Sequence, residues 1–223
     1  AITEEQCMSY TEKLLGIPEL IEKILEKPET CQFAASRLVA DEHLLYIGRG
    51  LDYALSMEGS LKLKEISYIH SESYAAGELK HGTISLITED MPVIAVATQR
   101  DVLDKTVSNI KEVKSRGAFT IVVTREGTDF DKDVADILVT VPETDDLLMP
   151  MTAVVPLQLI AYYTADLRGN DVDKPRNAKY VANLDVDVID VGVPVLSMHA
   201  PFELIAKLDV YMANKAFTAF FKA

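Results

Sequence analysis

The stretch from Leu61 to Gly82, LKLKEISYIHSESYAAGELKHG, concentrates the side chains that could move protons. Lys62 and Glu65 are three residues apart, a spacing that makes them neighbours on the surface of a helix. Lys80 and His81 follow in a segment bounded by glycines. A carboxylate can act as a general base, a histidine can protonate a leaving oxygen, and a lysine can stabilise a developing oxyanion. These residues therefore predict proton-transfer chemistry on a small polar substrate.

The segments around this stretch alternate between strand-like and helix-like patterns. We predict strands at residues 44–50, 68–74, 91–98, 119–125 and 137–142. We predict helices at about 3–15, 18–26, 29–38, 52–67, 101–116 and 152–167. Because most of the strands are almost entirely apolar, they indicate a parallel sheet that helices cover on both faces. The sequence thus predicts an α/β fold.

The helix that begins near Asp52 carries two side-chain stripes. Its apolar stripe consists of Ala54, Met57 and Leu61, and its charged stripe of Glu58, Lys62 and Glu65. A simple ion pair with Glu58 is the alternative to a catalytic role for Lys62. For Glu65 the alternative is a solvated salt bridge.

Ligands of parallel sheets bind beyond the carboxyl ends of the strands. Arg49 lies between two glycines directly after the first strand, and the GELKHG and ATQRD segments follow later strands. Arg49 and Lys80 are therefore candidate substrate-binding residues, although Arg49 could equally cap a turn. His43 and His70 are interpreted as structural residues.

The composition limits the partners of the chain. A formal net charge of −13 repels phosphate backbones, so we expect no nucleic-acid binding. A local basic cluster can still attract a small phosphorylated ligand. No apolar run approaches the roughly 20 residues of a membrane span. Cys7 and Cys31 have no CxxC spacing and the N-terminal segment does not resemble a signal peptide, which favours a cytoplasmic protein with reduced thiols and no cofactor.

Residues 44–177 resemble the second sugar-isomerase half of glucosamine-6-phosphate synthases. The resemblance is carried by the runs YIGRGLDYALSMEGSLKLKEISYIHSESYAAGELKHG, MPVIAVAT, NIKEVKSRG and VPLQLIAYYTADLRGNDVDKPRN. It implies a sugar-isomerase (SIS) domain, with a five-stranded parallel sheet flanked by helices. Residues 1–43 would form a helical segment that leads into this domain.

The resemblance also implies an activity and a set of residue roles. The family converts fructose 6-phosphate and ammonia into glucosamine 6-phosphate, with proton transfer between C1 and C2. Glu65 corresponds to the base and Lys62 to its neighbouring lysine. His81 corresponds to the ring-opening acid, which the family supplies to the adjacent subunit of a homodimer. Lys179, in RNAKYVANL, is a shifted counterpart of the lysine that bonds the sugar carbonyl.

Two parts of the family pattern have no counterpart in this sequence. One is the glutaminase domain with its catalytic cysteine, and the other is the Ser/Thr-rich loop of the first isomerase half, which holds the sugar phosphate. The ATQRD segment is a poor phosphate cradle. We therefore expect an isomerase domain that is impaired as an isolated half. The alternative is a non-catalytic module for sugar-phosphate binding or dimerisation.

The last segment, residues 178–223, resembles the C-terminus of aspartyl-aminopeptidase-like dizinc metallopeptidases. In that family the histidine of the SMHAPFE run is a zinc ligand, which would be His199. We predict an appendage in which a strand near Leu184 is followed by a helix that starts at Pro201. The chain would then be a fusion, and a metallopeptidase is the third functional hypothesis. Because one histidine does not form a zinc site, we expect no bound metal.

Overall fold

The computed structural model describes residues 3–131 and 133–176, together with the short segments 195–196 and 204–205. The chain divides into two compact units, Ala1–Pro175 and Arg176–Ala223. In the second unit, the described part is an antiparallel pair of strands, β6 (Val195–Leu196) and β7 (Leu204–Ile205). The predicted helix from Pro201 is therefore wrong at Leu204–Ile205, where backbone pairing with β6 forms a strand. The predicted strand near Leu184 lies outside the described residues.

The first unit is built on a five-stranded parallel sheet, as the sequence predicted. Its strands are β1 (His43–Gly48), β2 (His70–Ala75), β3 (Pro92–Ala97), β4 (Phe119–Arg125) and β5 (Ile137–Val141). Their order in the sheet is β2-β1-β3-β4-β5. The register pairs His43 with His70 and Pro92 with Phe119, so the amino ends of neighbouring strands lie side by side.

Six α-helices and three short 3₁₀-helices surround this sheet in the described residues. The α-helices are α1 (Glu4–Leu15), α2 (Ile17–Leu25), α3 (Glu29–Leu38), α4 (Leu51–Ser67), α5 (Leu103–Lys114) and α6 (Met149–Leu167). The 3₁₀-helices are η1 (Ala76–His81), η2 (Thr83–Leu86) and η3 (Arg100–Val102). A capping box between Thr3 and Gln6 starts α1, and Pro18 occupies the first turn of α2, where its missing N–H has no cost. None of the helices in the described part is long and apolar enough to cross a membrane.

Each face of the sheet has its own apolar core. On one face, residues of α3, α4 and α6 such as Leu38, Leu63 and Leu157 pack together. On the other face, η1, η2 and α5 pack through residues such as Leu79 and Ile110. Strand β3 is buried along its whole length because both layers cover it. Each fully buried Val, Leu or Ile side chain of these two cores stabilises the fold by about 1.5–3 kcal/mol.

Helix α4 turns a face of small residues toward the sheet and α6. A Cβ atom on Gly59 would lie 2.9 Å from the Tyr46 ring and 3.0 Å from Leu157, so only glycine permits this approach. The predicted apolar stripe of α4 is on the other side, where Met57 is 46% exposed and Leu61 43% exposed. This apolar stripe of α4 is therefore exposed. The side of α4 that faces the core carries the small residues together with Leu55 and Leu63.

Candidate functional site

Lys62 and Glu65 form an ion pair on the exposed side of α4. Their Nζ and Oε2 atoms are 3.0 Å apart, and a second carboxylate oxygen, from Glu58, lies 3.6 Å from the same Nζ. The two side chains of the closer pair are 36% and 41% exposed. Lys62 is thus paired with both Glu65 and Glu58, and the catalytic role of Lys62 and Glu65 stays a prediction.

The surroundings of Lys62 favour its charged form. Partial burial lowers the pKa of Lys62, but the hydrogen bond and charge of Glu65, followed by the charge of Glu58, outweigh that effect and raise the pKa above its ordinary 10.5. Lys62 therefore remains an ammonium ion near neutral pH. Such a group can stabilise a negative charge beside Glu65, but it cannot serve as a base.

His81 occupies the last position of η1 and is 75% exposed. Leu79, which is only 1% exposed, anchors the 3₁₀-helix in the core beneath it. Gly82 follows with φ of 135°, a conformation that L-residues with side chains rarely adopt. The nearest charged atom is Oε2 of Glu78, 3.8 Å from Nε2. The imidazole is therefore accessible from outside the domain.

The sheet separates His81 from the Lys62–Glu65 pair. Helix α4 belongs to the layer that contains α6, whereas η1 belongs to the layer that contains α5. No hydrogen bond or ion pair joins His81 to Lys62 or Glu65 in the described part of the chain. His81 and the Lys62–Glu65 pair are thus close in the sequence but lie on opposite faces of the sheet.

The strand order explains this separation. The chain passes from β1 to β2 in one direction and then returns past β1 to reach β3. Because crossovers between parallel strands are right-handed, a reversal of direction sends the next connection to the opposite face. The β1–β2 connection is α4, and the β2–β3 connection consists of η1 and η2.

Arg49 and Lys80, the predicted substrate-binding residues, both have partners on α5. The Nε and Nη2 atoms of Arg49 donate to Oδ1 of Asn109 at 3.0 and 2.9 Å, and Nζ of Lys80 lies 3.1 Å from Oε2 of Glu112. A Cβ atom on Gly77 would be 2.8 Å from Nη2 of Arg49, so the guanidinium packs directly against η1. These contacts hold η1 against α5. The substrate-binding role of the two residues stays a prediction.

The loop after β3 is held by Asp52, a residue that the sequence analysis missed. The carboxylate of Asp52 is fully buried and accepts hydrogen bonds from the backbone N–H groups of Thr98 and Gln99 at 2.7 and 3.0 Å, and from the Thr98 hydroxyl. Burial raises the pKa of Asp52, although these hydrogen bonds oppose the shift. The amides that could cradle a phosphate are therefore already occupied. The sequence did contain a signal for this role of Asp52, because an acidic residue in the first turn of a helix, directly after Gly-Arg-Gly, is placed to accept hydrogen bonds from backbone N–H groups.

Arg125, the last residue of β4, is a second buried charged residue that the sequence did not reveal. It is 3% exposed and donates to the carbonyl oxygen of Thr98, to the carbonyl oxygen of Thr144 at 2.9 Å, and to the carboxylates of Glu143 and Asp146. A buried guanidinium with this many acceptors acts as a cross-link between β3, β4 and the segment that precedes α6. Its position at the end of an apolar strand distinguishes it from the exposed arginines of the chain.

The remaining predicted residues, Lys179 and His199, lie outside the described residues. Within the described ranges, no group of three or more His, Cys, Asp or Glu side chains could hold a metal ion.

Comparison with known proteins places this arrangement in a family. The profile of the SIS domain matches residues 37–189, more than half of the chain. The chain belongs to the SIS domain family. The matched region of this SIS chain includes residues 178–189, which the sequence analysis assigned to the appendage.

Individual relatives agree with the family assignment. The SIS chain is 49% identical over 176 residues to a glutamine–fructose-6-phosphate aminotransferase (isomerizing) from Clostridium acetobutylicum, a match that covers 79% of this chain and 29% of the relative. It is 46% identical over 175 residues to the protein of that name from Thermococcus kodakarensis, covering 78% and 29%. The solved C-terminal domain of the glucosamine-fructose-6-phosphate aminotransferase from Francisella tularensis superimposes with a TM-score of 0.71 at 38% identity, covering 77% of this chain and 48% of that one. The SIS chain thus spans less than a third of these curated relatives and about half of the solved domain.

Proposed function

We propose that this chain is an isomerase domain of the glucosamine-6-phosphate synthase kind, which acts in the conversion of fructose 6-phosphate and ammonia to glucosamine 6-phosphate and water. The observation that carries the proposal is 49% identity to an isomerising aminotransferase over 79% of the chain. The exposed Lys62–Glu65 pair on α4 supports it, because it supplies a carboxylate and a positive charge at one point of the surface.

In the proposed reaction, the Glu65 carboxylate removes a proton from one of the two carbons C1 and C2 and returns it to the other. The electron pair of the broken C–H bond passes into an enediol-like intermediate, so negative charge develops on the adjacent oxygen. The Lys62 ammonium lies beside the base and stabilises that charge without losing its own proton. The step therefore needs no redox partner.

The ring-opening acid in this proposal is His81 of a second copy. A protomer cannot easily use its own His81, because the sheet lies between η1 and α4. The high exposure of His81 is what donation to a neighbouring subunit requires. We therefore propose a homodimer in which each site combines α4 of one protomer with η1 of its partner. Lys179 as the carbonyl-binding lysine remains a prediction.

A non-catalytic module for sugar-phosphate binding or dimerisation is the second candidate. The observation that favours it is Asp52, which occupies the backbone N–H groups after β3 and leaves no phosphate cradle there. The substrate phosphate would then need a site elsewhere in the assembly.

The cytoplasmic location and the metallopeptidase hypothesis based on His199 also remain predictions. Peptidase activity after zinc addition would support the latter, and absence of zinc uptake would refute it.

Solvent exchange at C2 of glucosamine 6-phosphate tests the proposed function. The chain is incubated with the sugar in deuterated water, and the C2 proton signal is followed by NMR. We expect exchange with the wild-type chain, none with Glu65→Gln, and near-normal exchange with the matched control Glu58→Gln. Absence of exchange in all three folded proteins would refute catalysis by this chain and favour the non-catalytic module.

A further inference from the structure

A cleft with a volume of about 570 Å³ opens at the amino ends of β1, β2 and β3. We call it the amino-edge cleft; it is bounded by Asp41, residues 43–45, Leu86 and residues 88–92, with His70 and Glu72 on the side of β2. It lies at the opposite edge of the sheet from Arg49, and its floor belongs to the layer of η2 and α5 rather than to that of α4. The cleft is thus separate from the Lys62–Glu65 pair.

The floor and one wall of the amino-edge cleft are apolar. Leu45 is 3% exposed at the base, Pro92 begins the buried strand β3, and Met91 lies beside it. Leu86, at the end of η2, forms a wall and is 51% exposed. Clefts of 300–1,000 Å³ with apolar linings and few polar groups are typical small-molecule sites.

The rim of the cleft carries negative charge. Four carboxylates line it, from Asp41, Glu72, Glu89 and Asp90, and no lysine or arginine lines it. The Tyr74 hydroxyl donates to Glu72, and the charges of Arg37 and Arg168 act on Asp41. Glu89 and Asp90 are exposed and form no ion pair within the described residues. This field repels a sugar phosphate and attracts a cation.

The histidines His43 and His70 add an aromatic wall. They are register partners on β1 and β2, and their rings meet edge to face with centroids 5.5 Å apart. The nearest carboxylate oxygen, from Glu72, is 3.9 Å from Nε2 of His70. These side chains do not belong to any cluster of three metal ligands in the described residues, so the chemistry of the wall suits an organic ligand better than a metal ion.

We propose that the amino-edge cleft binds a small organic cation, with a hydrocarbon or aromatic body between the Leu45 floor and the Leu86 wall and an ammonium or guanidinium group toward the carboxylate rim. The apolar floor supplies most of the binding free energy, and the carboxylates supply the selectivity for charge. The proposal does not depend on the proposed isomerase function, because the cleft shares no residue with that site.

Three probes of similar shape test the charge selectivity. They are 4-phenylbutylamine, which is a cation, 4-phenylbutan-1-ol, which is neutral, and 4-phenylbutyrate, which is an anion. In a ¹⁵N–¹H NMR titration of the full chain, we expect the amine to shift the amide signals of residues 43–45 and 86–91. We expect it to bind about tenfold more tightly than the alcohol, and the anion to bind most weakly. Equal binding of the alcohol or the anion, shifts confined to other residues, or no binding of the amine at millimolar concentration would overturn the proposal.

Matched variants identify the charges involved. Glu89→Gln preserves the size of an exposed side chain and should weaken binding of the amine about threefold to tenfold, while binding of the alcohol stays unchanged. Leu86→Ser should weaken both probes, because it removes the wall. Glu126→Gln, a carboxylate at another cavity, and Glu65→Gln should change neither. An unaltered amine affinity in folded Glu89→Gln and Leu86→Ser would refute the site, whereas lost C2 exchange in Glu65→Gln concerns only the proposed isomerase.

Discussion

Removal of the Asp52 carboxylate should be among the most destabilising single changes in the described domain. Asp52→Ala leaves the buried N–H groups of Thr98 and Gln99 without an acceptor, and each unsatisfied group costs about 1–3 kcal/mol. Together with the lost side-chain volume, we expect the free energy of unfolding to fall by about 3–5 kcal/mol. The loop after β3 should loosen with it.

Asp52→Asn separates the hydrogen bonds from the charge. The amide oxygen can accept from both N–H groups, and the amide nitrogen can donate to the Thr98 hydroxyl, which can act as an acceptor. Because burial already raises the pKa of Asp52, loss of the charge should cost about 1 kcal/mol or less. Urea unfolding monitored by circular dichroism measures both variants. An asparagine variant as unstable as the alanine variant, or an alanine variant within about 1 kcal/mol of wild type, would refute this account of Asp52.

Three further predictions concern single groups. The hydroxyl of Tyr46 is buried without a hydrogen-bond partner among the described residues, so Tyr46→Phe should be neutral or stabilise the fold by about 1 kcal/mol in urea unfolding; a clear loss of stability would contradict this. Cys7 is exposed, whereas Cys31 is 2% exposed and its burial raises the pKa of the thiol to about 11. Iodoacetamide should therefore label one thiol per native chain and two per unfolded chain by mass spectrometry, and two labels on the native chain would contradict the burial. Partial burial would raise the pKa of Asp136, but a hydrogen bond from Lys114 and further bonds from a threonine lower it below 3.8. The ionised Asp136 carboxylate therefore stabilises the fold fully above pH 3.8, and this stabilisation is lost as the pH falls below that value. Asp136→Asn should consequently lose less stability on acidification than the wild type does. Parallel acid-unfolding curves for the two proteins would contradict the lowered pKa.

The strands of the parallel sheet could be predicted from the sequence. The five predicted strands are present, and their ends agree with the prediction to within two residues. Four of them consist mainly of residues that favour burial between two layers, whereas β2 is polar and was recognised by its alternation. The helix predicted at Thr152 begins earlier, at Met149, since Pro150 fits the first helical turn. Residues that are apolar through a whole element are the ones that local patterns describe best.

The relations between distant residues could not be predicted in this way. Asp52 reaches Thr98 across 46 positions, and Arg125 reaches Thr98 across 27, so neither contact leaves a periodic signal. The strand order, which sends α4 and η1 to opposite faces, is likewise invisible to periodicity. The exposure of the apolar stripe on α4 could not be predicted for the same reason. It depends on the close approach of Leu157 in α6 to Gly59, two residues that are distant in the sequence.

Subunit mixing tests whether Glu65 of one protomer works with His81 of its partner, as proposed above. Glu65→Gln and His81→Asn are each expected to lack C2 exchange when assayed alone. After the two variants are unfolded and refolded together, half of the dimers should be mixed, and each mixed dimer should contain one intact site. Exchange should then return to about one quarter of the wild-type rate. Failure of the mixture to recover, while refolded wild type is fully active, would contradict a site shared between protomers.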